Sequence, residues 1–295
     1  MNSIYYLKHA DINKQLWDGC VEKAFNGLPY AYSWYLDIAA PGWDALILED
    51  YEAVFPLPKN RKLLGFMQVY QPFFVQQLGL IGSRGADKET LQSFISAIPG
   101  HFIRVRLPLN EGNPLIDAGN TKMNLILGLS PPFEQLQKGF SKSLRKRVRR
   151  AKPDHQLHQH LCSPEELVQL YRNQIGQRLP LKNKDYQRMI RLIYTCLERS
   201  KGWIAGITHQ SGELRTAGFF LDSHQRVINI FGASTEAGKA HHGMHLLLSD
   251  LIELYAGTDR VFDFEGSSIP SIAAFFRSFG AEEAPFSVYH RGLKG

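Results

Sequence analysis

No stretch of the 295 residues holds the ~18 consecutive apolar side chains that a membrane span requires. The segment from Met1 to His9 turns polar, with Asp11 close behind, before a signal-peptide core has formed. Cysteine is scarce: Cys20, Cys162 and Cys196 are far apart, cannot all pair, and match no metal or redox spacing. A reducing cytoplasm is the compartment these features suggest. Disorder is excluded by an apolar content of 44%. Acid is missing from one place in particular. Lys138, Lys142, Arg145, Lys146, Arg147, Arg149, Arg150 and Lys152 follow one another without a carboxylate. The formal charge of the chain is +6, so these eight cations exceed the whole surplus and leave −2 for the rest. The protein is mildly acidic with one basic segment.

The length suggests two domains, or one large one, and the patterning is mixed α/β. In the first half, Leu16, Trp17, Cys20 and Val21 recur at helical spacing, and a second helix is expected over Ser33–Ala39. Strands are expected at 45–48 and 53–57, an aromatic, glutamine-rich stretch runs over 66–80, and Asp87 caps a helix ended by Pro99-Gly100. Two more strands fall at 102–107 and 123–127. Ser130-Pro131-Pro132 opens a helix closed by Gly139, and Ser141 caps another that Pro153 ends. In the latter, Leu144, Val148 and Ala151 form one apolar stripe opposite Lys142, Arg145, Arg149 and Lys152.

The second half runs strand, two helices, three strands, helix, strand, helix, strand. Ser163-Pro164-Glu165-Glu166 is a capping box. Strands are expected at 203–208, 214–221 and 227–231, then a polar loop over 233–242, an apolar helix over 244–255, a strand at 261–264, a helix over 271–279 and a strand at 286–290. The domains expected are therefore 1–129, basic connecting helices over 130–153, and 154–295.

This order resembles that of the GNAT superfamily of acyltransferases, and two such halves in tandem resemble the FemABX group and related FemAB-like enzymes. Phe262-Asp263-Phe264-Glu265-Gly266 is similar to the family's aromatic-Asp-Phe-x-Gly strand end. Ile272 to Ala281 resembles its apolar-x-x-Phe-Lys-x-x-Phe-Gly helix, and Ser141 to Arg147 its basic segment. The acetyl-CoA loop of that superfamily, Gln/Arg-x-x-Gly-x-Gly/Ala, is matched by Ala240-His241-His242-Gly243-Met244-His245 only at Gly243. The resemblance implies two GNAT-like domains, the second better formed, and an N-acyltransferase with acyl-CoA as co-substrate and no permanently bound cofactor. An aminoacyl-tRNA donor, or a non-catalytic module that binds an anionic ligand, are its alternatives.

Acyl transfer to an amine needs a base and an oxyanion donor. The two-residue period of a strand puts Asp263 and Glu265 on one face, with Glu265 the candidate base and Arg260 or Arg277 the partners expected for Asp263. The resemblance makes Gly232 the candidate bulge that offers a backbone N–H to the thioester oxygen. Lys239, His241, His242 and Gly243 form a candidate anion site at a helix start. Lys142, Arg145 and Arg149 are candidates for phosphate or acceptor binding, and Tyr70 and Gln71 for the acceptor side of a cleft between the halves. The acceptor expected is a small-molecule or peptide amine. No base-reading of DNA is indicated, since no aromatic residue interrupts 141–152. His241 and His245 are four apart, and His155, His158 and His160 alternate, but neither set has an acidic third ligand nearby, so no metal is expected.

Overall fold

The computed structural model describes residues 3–61, 65–82, 87–116, 120–159, 162–176, 181–266 and 269–292. The chain divides into two compact units, Met1–Met123 with Ala284–Gly295, and Asn124–Glu283. Among the described residues, no helix is long and apolar enough to cross a membrane.

In the first unit, β1 (Ile4–Leu7) leads to α1 (Lys14–Lys23), whose first amide groups are capped by the Asn13 side chain, and to α2 (Ser33–Ala39). Strands β2 (Asp44–Leu48) and β3 (Ala53–Leu57) form the expected hairpin. Within the aromatic stretch the described residues form one short strand, β5 (Met67–Val69), flanked by β4 (Lys59–Arg61) before it and β6 (Ile81–Gly82) after it. Helix α3 (Lys88–Ala97), capped by Asp87, and β7 (Phe102–Pro108) complete this run. Pairing gives a sheet β1-β2-β3-β6, while β5 lies parallel to β7. Trp17 and Trp43 meet edge to face at 4.6 Å in a core with Tyr30, Tyr35, Phe55 and Phe94. Asp44 is buried there and satisfied by the Tyr6 hydroxyl, the His9 amide and Lys59. Burial and then that carboxylate push the Tyr6 hydroxyl pKa well up.

Strand β8 (Thr121–Gly128) carries the chain into the second unit. There α4 (Phe133–Gly139) and α5 (Lys142–Ala151) appear where their caps place them, with Ser141 Oγ accepting from the Leu144 amide. Next come β9 (His155–Gln159), α6 (Pro164–Gln174) with its capping box at Ser163, and α7 (Asn183–Glu198). Three long strands follow, β10 (Gly202–His209), β11 (Leu214–Ser223) and β12 (Arg226–Ser234). The segment expected as a loop contains a short helix, α8 (Glu236–Ala240), before α9 (Gly243–Tyr255). The order closes with β13 (Val261–Asp263), α10 (Pro270–Arg277) and β14 (Glu282–Arg291), which from Ala284 onward belongs to the first unit and pairs with β7.

The sheet of the second unit runs β8-β13-β12-β11-β10-β9. Every pair is antiparallel except β12 and β13, which the α8–α9 crossover joins in parallel. One face is covered by α4, α5, α9 and α10 through Leu144, Val148, Leu247, Leu251, Phe264 and Phe276. Helix α6 covers part of the other face, where Tyr171 meets Phe231 at 5.0 Å. The apolar stripe of α5 is thus buried as its spacing requires, and its cations point away.

Two glycines let the crossover lie flat on the sheet. A Cβ on Gly238 would stand 1.9 Å from the Arg215 carbonyl oxygen, and one on Gly243 2.2 Å from Thr216 Oγ1. Gly238→Ala and Gly243→Ala are each expected to lower unfolding free energy by about 1–3 kcal/mol. Gly128→Ala, whose Cβ meets nothing within 4 Å, is the neutral control in the same urea titration.

Candidate active site

Parallel pairing of β12 with β13 lasts for only three residues, from Arg226 opposite Val261 to Ile228 opposite Asp263. Beyond it the two strands follow different neighbours. Strand β12 continues along β11 as far as Ser234, while the Phe264 amide donates to Leu125 O of β8 at 2.9 Å. A V-shaped opening results, and at its apex β12 carries a bulge: Phe219 faces Phe231 but Phe220 faces Asn229, so Ile230 is the extra residue. Gly232, expected at a strand end, lies inside β12 opposite Gly218. Its missing side chain makes room for Met244 of α9, whose Cε would be 2.8 Å from a Cβ there.

Strand alternation puts Asn229 on the same face as Val227, toward α9. Its Oδ1 is buried and, among the described residues, accepts no hydrogen bond. A buried amide oxygen without a donor is costly. The residue escaped notice in the sequence, although it is the one polar side chain in Val227-Ile228-Asn229-Ile230-Phe231.

The expected strand ends one residue early, at Asp263, and this changes what the two candidate acids can do. The Asp263 side chain is 2% exposed and its Oδ2 accepts from Arg226 Nη1 at 2.5 Å. The partners expected for it are engaged elsewhere, Arg260 with Asp222 and Arg277 with Glu283. Asp263 Oδ1 accepts from the Glu265 amide at 2.8 Å. Glu265 itself takes a left-handed φ of 52°, so it leaves the strand period and is half-buried at the end of the opening. Asp263 is held by these bonds, and Glu265 lies two residues beyond it, outside the strand.

The start of α9 faces α5. Its N-cap, His242, has a left-handed φ of 61° and makes no side-chain cap. Arg147 Nη1 donates to His245 Nε2 at 3.1 Å, and the His245 ring packs against Phe275 at 4.8 Å. Burial, then Arg147 and His242, push the His245 pKa down to about 4. The His242 pKa is also lowered, by burial and then by Arg147, Arg150 and His241. A helix amino terminus framed by arginines and neutral imidazoles suits an anion. The expected members differ in placement. Lys239 Nζ, on α8, is held at 2.6 Å by both Gln174 and Glu236. His241 is exposed, with its ring 5.9 Å from that of His155. Gly243 serves packing against Thr216.

His241 precedes α9 and so shares no helix face with His245. No group of three or more His, Cys, Asp or Glu among the described residues is placed to hold a metal ion, and His160 lies outside those residues. In the first unit, Gln71 Nε2 donates to the Val75 and Gln76 carbonyls at 3.0 and 3.2 Å and its Oε1 accepts from Arg106, so it braces its own loop. The Tyr70 amide is bound to Pro58 O. Lys142, Arg145 and Arg149 project from α5 into a groove of about 660 Å³.

Together these features make up a FemX-like fold. Solved structures that share it include FemX, at TM-score 0.67 and 12% identity over 96% of both chains. Another is the C-terminal domain of a putative lysylphosphatidylglycerol synthetase from Agrobacterium fabrum, at TM-score 0.53 and 10% identity over 95% of this chain and 92% of that one. Saccharomyces cerevisiae N-myristoyltransferase with bound myristoyl-CoA has TM-score 0.50 and 11% identity over 100% and 80%. No protein-family model and no curated protein matches the sequence.

Removing Arg226 strands a buried carboxylate, so Arg226→Ala is expected to cost about 3–5 kcal/mol. The Arg226→Met/Asp263→Leu pair should recover most of it in a double-mutant cycle followed by urea unfolding. His245 has a folded pKa below its unfolded value, so between about pH 6.5 and 4 the unfolded chain binds the extra proton and stability falls with pH. His245→Gln should flatten that part of the stability–pH curve.

Proposed function

We propose that the protein is an N-acyltransferase, moving an acyl group from an activated donor, acyl-CoA by preference, to an amine of a small molecule or peptide. The observation that carries this reading is the opening between β12 and β13, with a bulged backbone at its apex, and the start of α9, which has no side-chain cap and packs on β11 and β12 through Gly243 and Met244. A neighbour of the same fold binds myristoyl-CoA, which supports a thioester donor, and such a donor is met in the cytoplasm.

In this arrangement the donor's phosphates lie at the α9 amino terminus with Arg147 and Arg150, and its thioester reaches the bulge. The residues present fit the phosphates through charge and helix dipole, in place of a glycine-rich loop. The amine nitrogen attacks the thioester carbon, and the oxyanion takes a backbone N–H from the bulged part of β12. The carbon–sulfur bond then breaks as the amide forms. The proton lost by the amine passes through Glu265 to solvent, and the departing thiolate takes one up, so the products are an amide and a free thiol. Asn229 Oδ1 accepts an N–H of the amine and fixes its approach.

Three variants test this. Acetyl-CoA or a longer acyl-CoA should raise the melting temperature of the full chain, and Arg147→Glu/Arg150→Glu should abolish the rise while the unliganded protein stays folded. Glu265→Gln should lower kcat by about 10²–10⁴ with donor binding intact, and Asn229→Ala should raise the acceptor KM. A chain stabilised by aminoacyl-tRNA and indifferent to every acyl-CoA would refute the donor assigned here.

A further inference from the structure

The α9 amino terminus uses only part of the basic segment. The remainder faces a groove of about 660 Å³ walled by α4, α5 and α9. Its α5 wall presents Lys142, Arg145, Lys146, Arg149 and, just beyond the helix end, Lys152. The one carboxylate in the lining, Glu253, is already paired with Lys152 at 3.0 Å. Arg145 is steadied by Nη1 contacts to the Gln137 and Lys138 carbonyls at 3.4 and 3.2 Å, which hold it without neutralising it. Among the described residues, Lys142, Arg145, Lys146 and Arg149 therefore keep four uncompensated charges around one concavity.

A second observation comes from the α9 wall. Ser249 is 1% exposed, lines the groove, and its Oγ has no hydrogen-bond partner among the described residues. A serine in a helix ordinarily returns its hydroxyl to a backbone carbonyl. Here a buried hydroxyl is left to answer to whatever enters. Val148 and the half-buried Phe133 add apolar surface to the same lining.

We infer that this groove binds a small molecule carrying a diphosphate or an equivalent density of phosphate, at a site separate from the acyl-donor position. Four free cations match the charge of such a group, and Arg and Lys meet its oxygens with charge-assisted hydrogen bonds. The volume is that of a small-ligand pocket. A nucleic-acid duplex needs a longer track of charge, and a membrane needs protruding apolar side chains, whereas Val148 is recessed. Phe133 and Val148 provide a surface for the organic part of the ligand.

The test uses the full chain and inorganic pyrophosphate, titrated by calorimetry with inorganic phosphate alongside. Pyrophosphate should bind more tightly than phosphate. Lys146→Glu/Arg149→Glu, both on the exposed face of α5, should weaken it at least ten-fold with circular dichroism unchanged. Ser249→Ala should weaken it several-fold while the melting temperature of the free protein holds or rises, because the hydroxyl has no partner to lose. Acyl-CoA stabilisation should survive the Lys146/Arg149 reversal, which keeps this site's failure separate from that of the donor site. No pyrophosphate binding overturns the inference. So does binding that responds to Arg147→Ala but not to the Lys146/Arg149 reversal. A chain that binds a short RNA or phosphatidylglycerol vesicles, with pyrophosphate unable to compete, overturns it as well.

Discussion

Asp263 ties β12 to the turn after β13 with one carboxylate. One oxygen takes the Arg226 guanidinium from the neighbouring parallel strand and the other takes the Glu265 amide. The first bond runs diagonally across the pairing of β12 with β13, from Arg226 at its start to Asp263 at its end. The second turns the chain out of the strand, so that Glu265 adopts its left-handed conformation. A buried charge is tolerated only when such partners are complete. The course of the chain from β13 into Glu265 follows from that pair of bonds. The Asp263 carboxylate fixes the backbone from which Glu265 projects.

Much of this was legible in the sequence where the cause is local. Ser33–Ala39, the Asp87 cap, the Ser163 capping box and the stripe Leu144, Val148, Ala151 depend on neighbours within a turn or two, and they fold as their spacing demands. The departures are long-range. Strands β4, β5 and β6 have two or three residues each and owe their existence to partners elsewhere in the chain. Helix α8 is five residues around a glycine, too short for periodicity to register. Arg226 is 37 residues from Asp263, so no motif links them. The bulge at Ile230 is a register difference between two strands, which no single strand's pattern reveals.

The basic helix shows how composition and geometry divide the work. Its hydrophobic stripe explains why it docks, and nothing in that stripe requires the opposite side to be so uniformly positive. Helix α9 then splits the charges. Arg147, in the middle of α5, turns to His245, Lys152 pairs with Glu253 just beyond the helix end, and Lys142, Arg145, Lys146 and Arg149 line the groove. Like charges so close repel one another, and the carboxylates near them, Glu253 and Asp250, act on Lys152.

The last strand has a bearing on how the chain is made. From Ala284 on, β14 pairs with β7, and Arg291 clamps the end of α3 by donating to the Ile98, Pro99 and Phe102 carbonyls. The first unit is thus assembled from both sides of the second, which is one unbroken stretch of chain. During synthesis the second unit has all its strands before the first has its last one. Until Arg291 emerges, β7 waits with an unpaired edge and α3 with bare carbonyls, so the half of the protein made first is the half finished last.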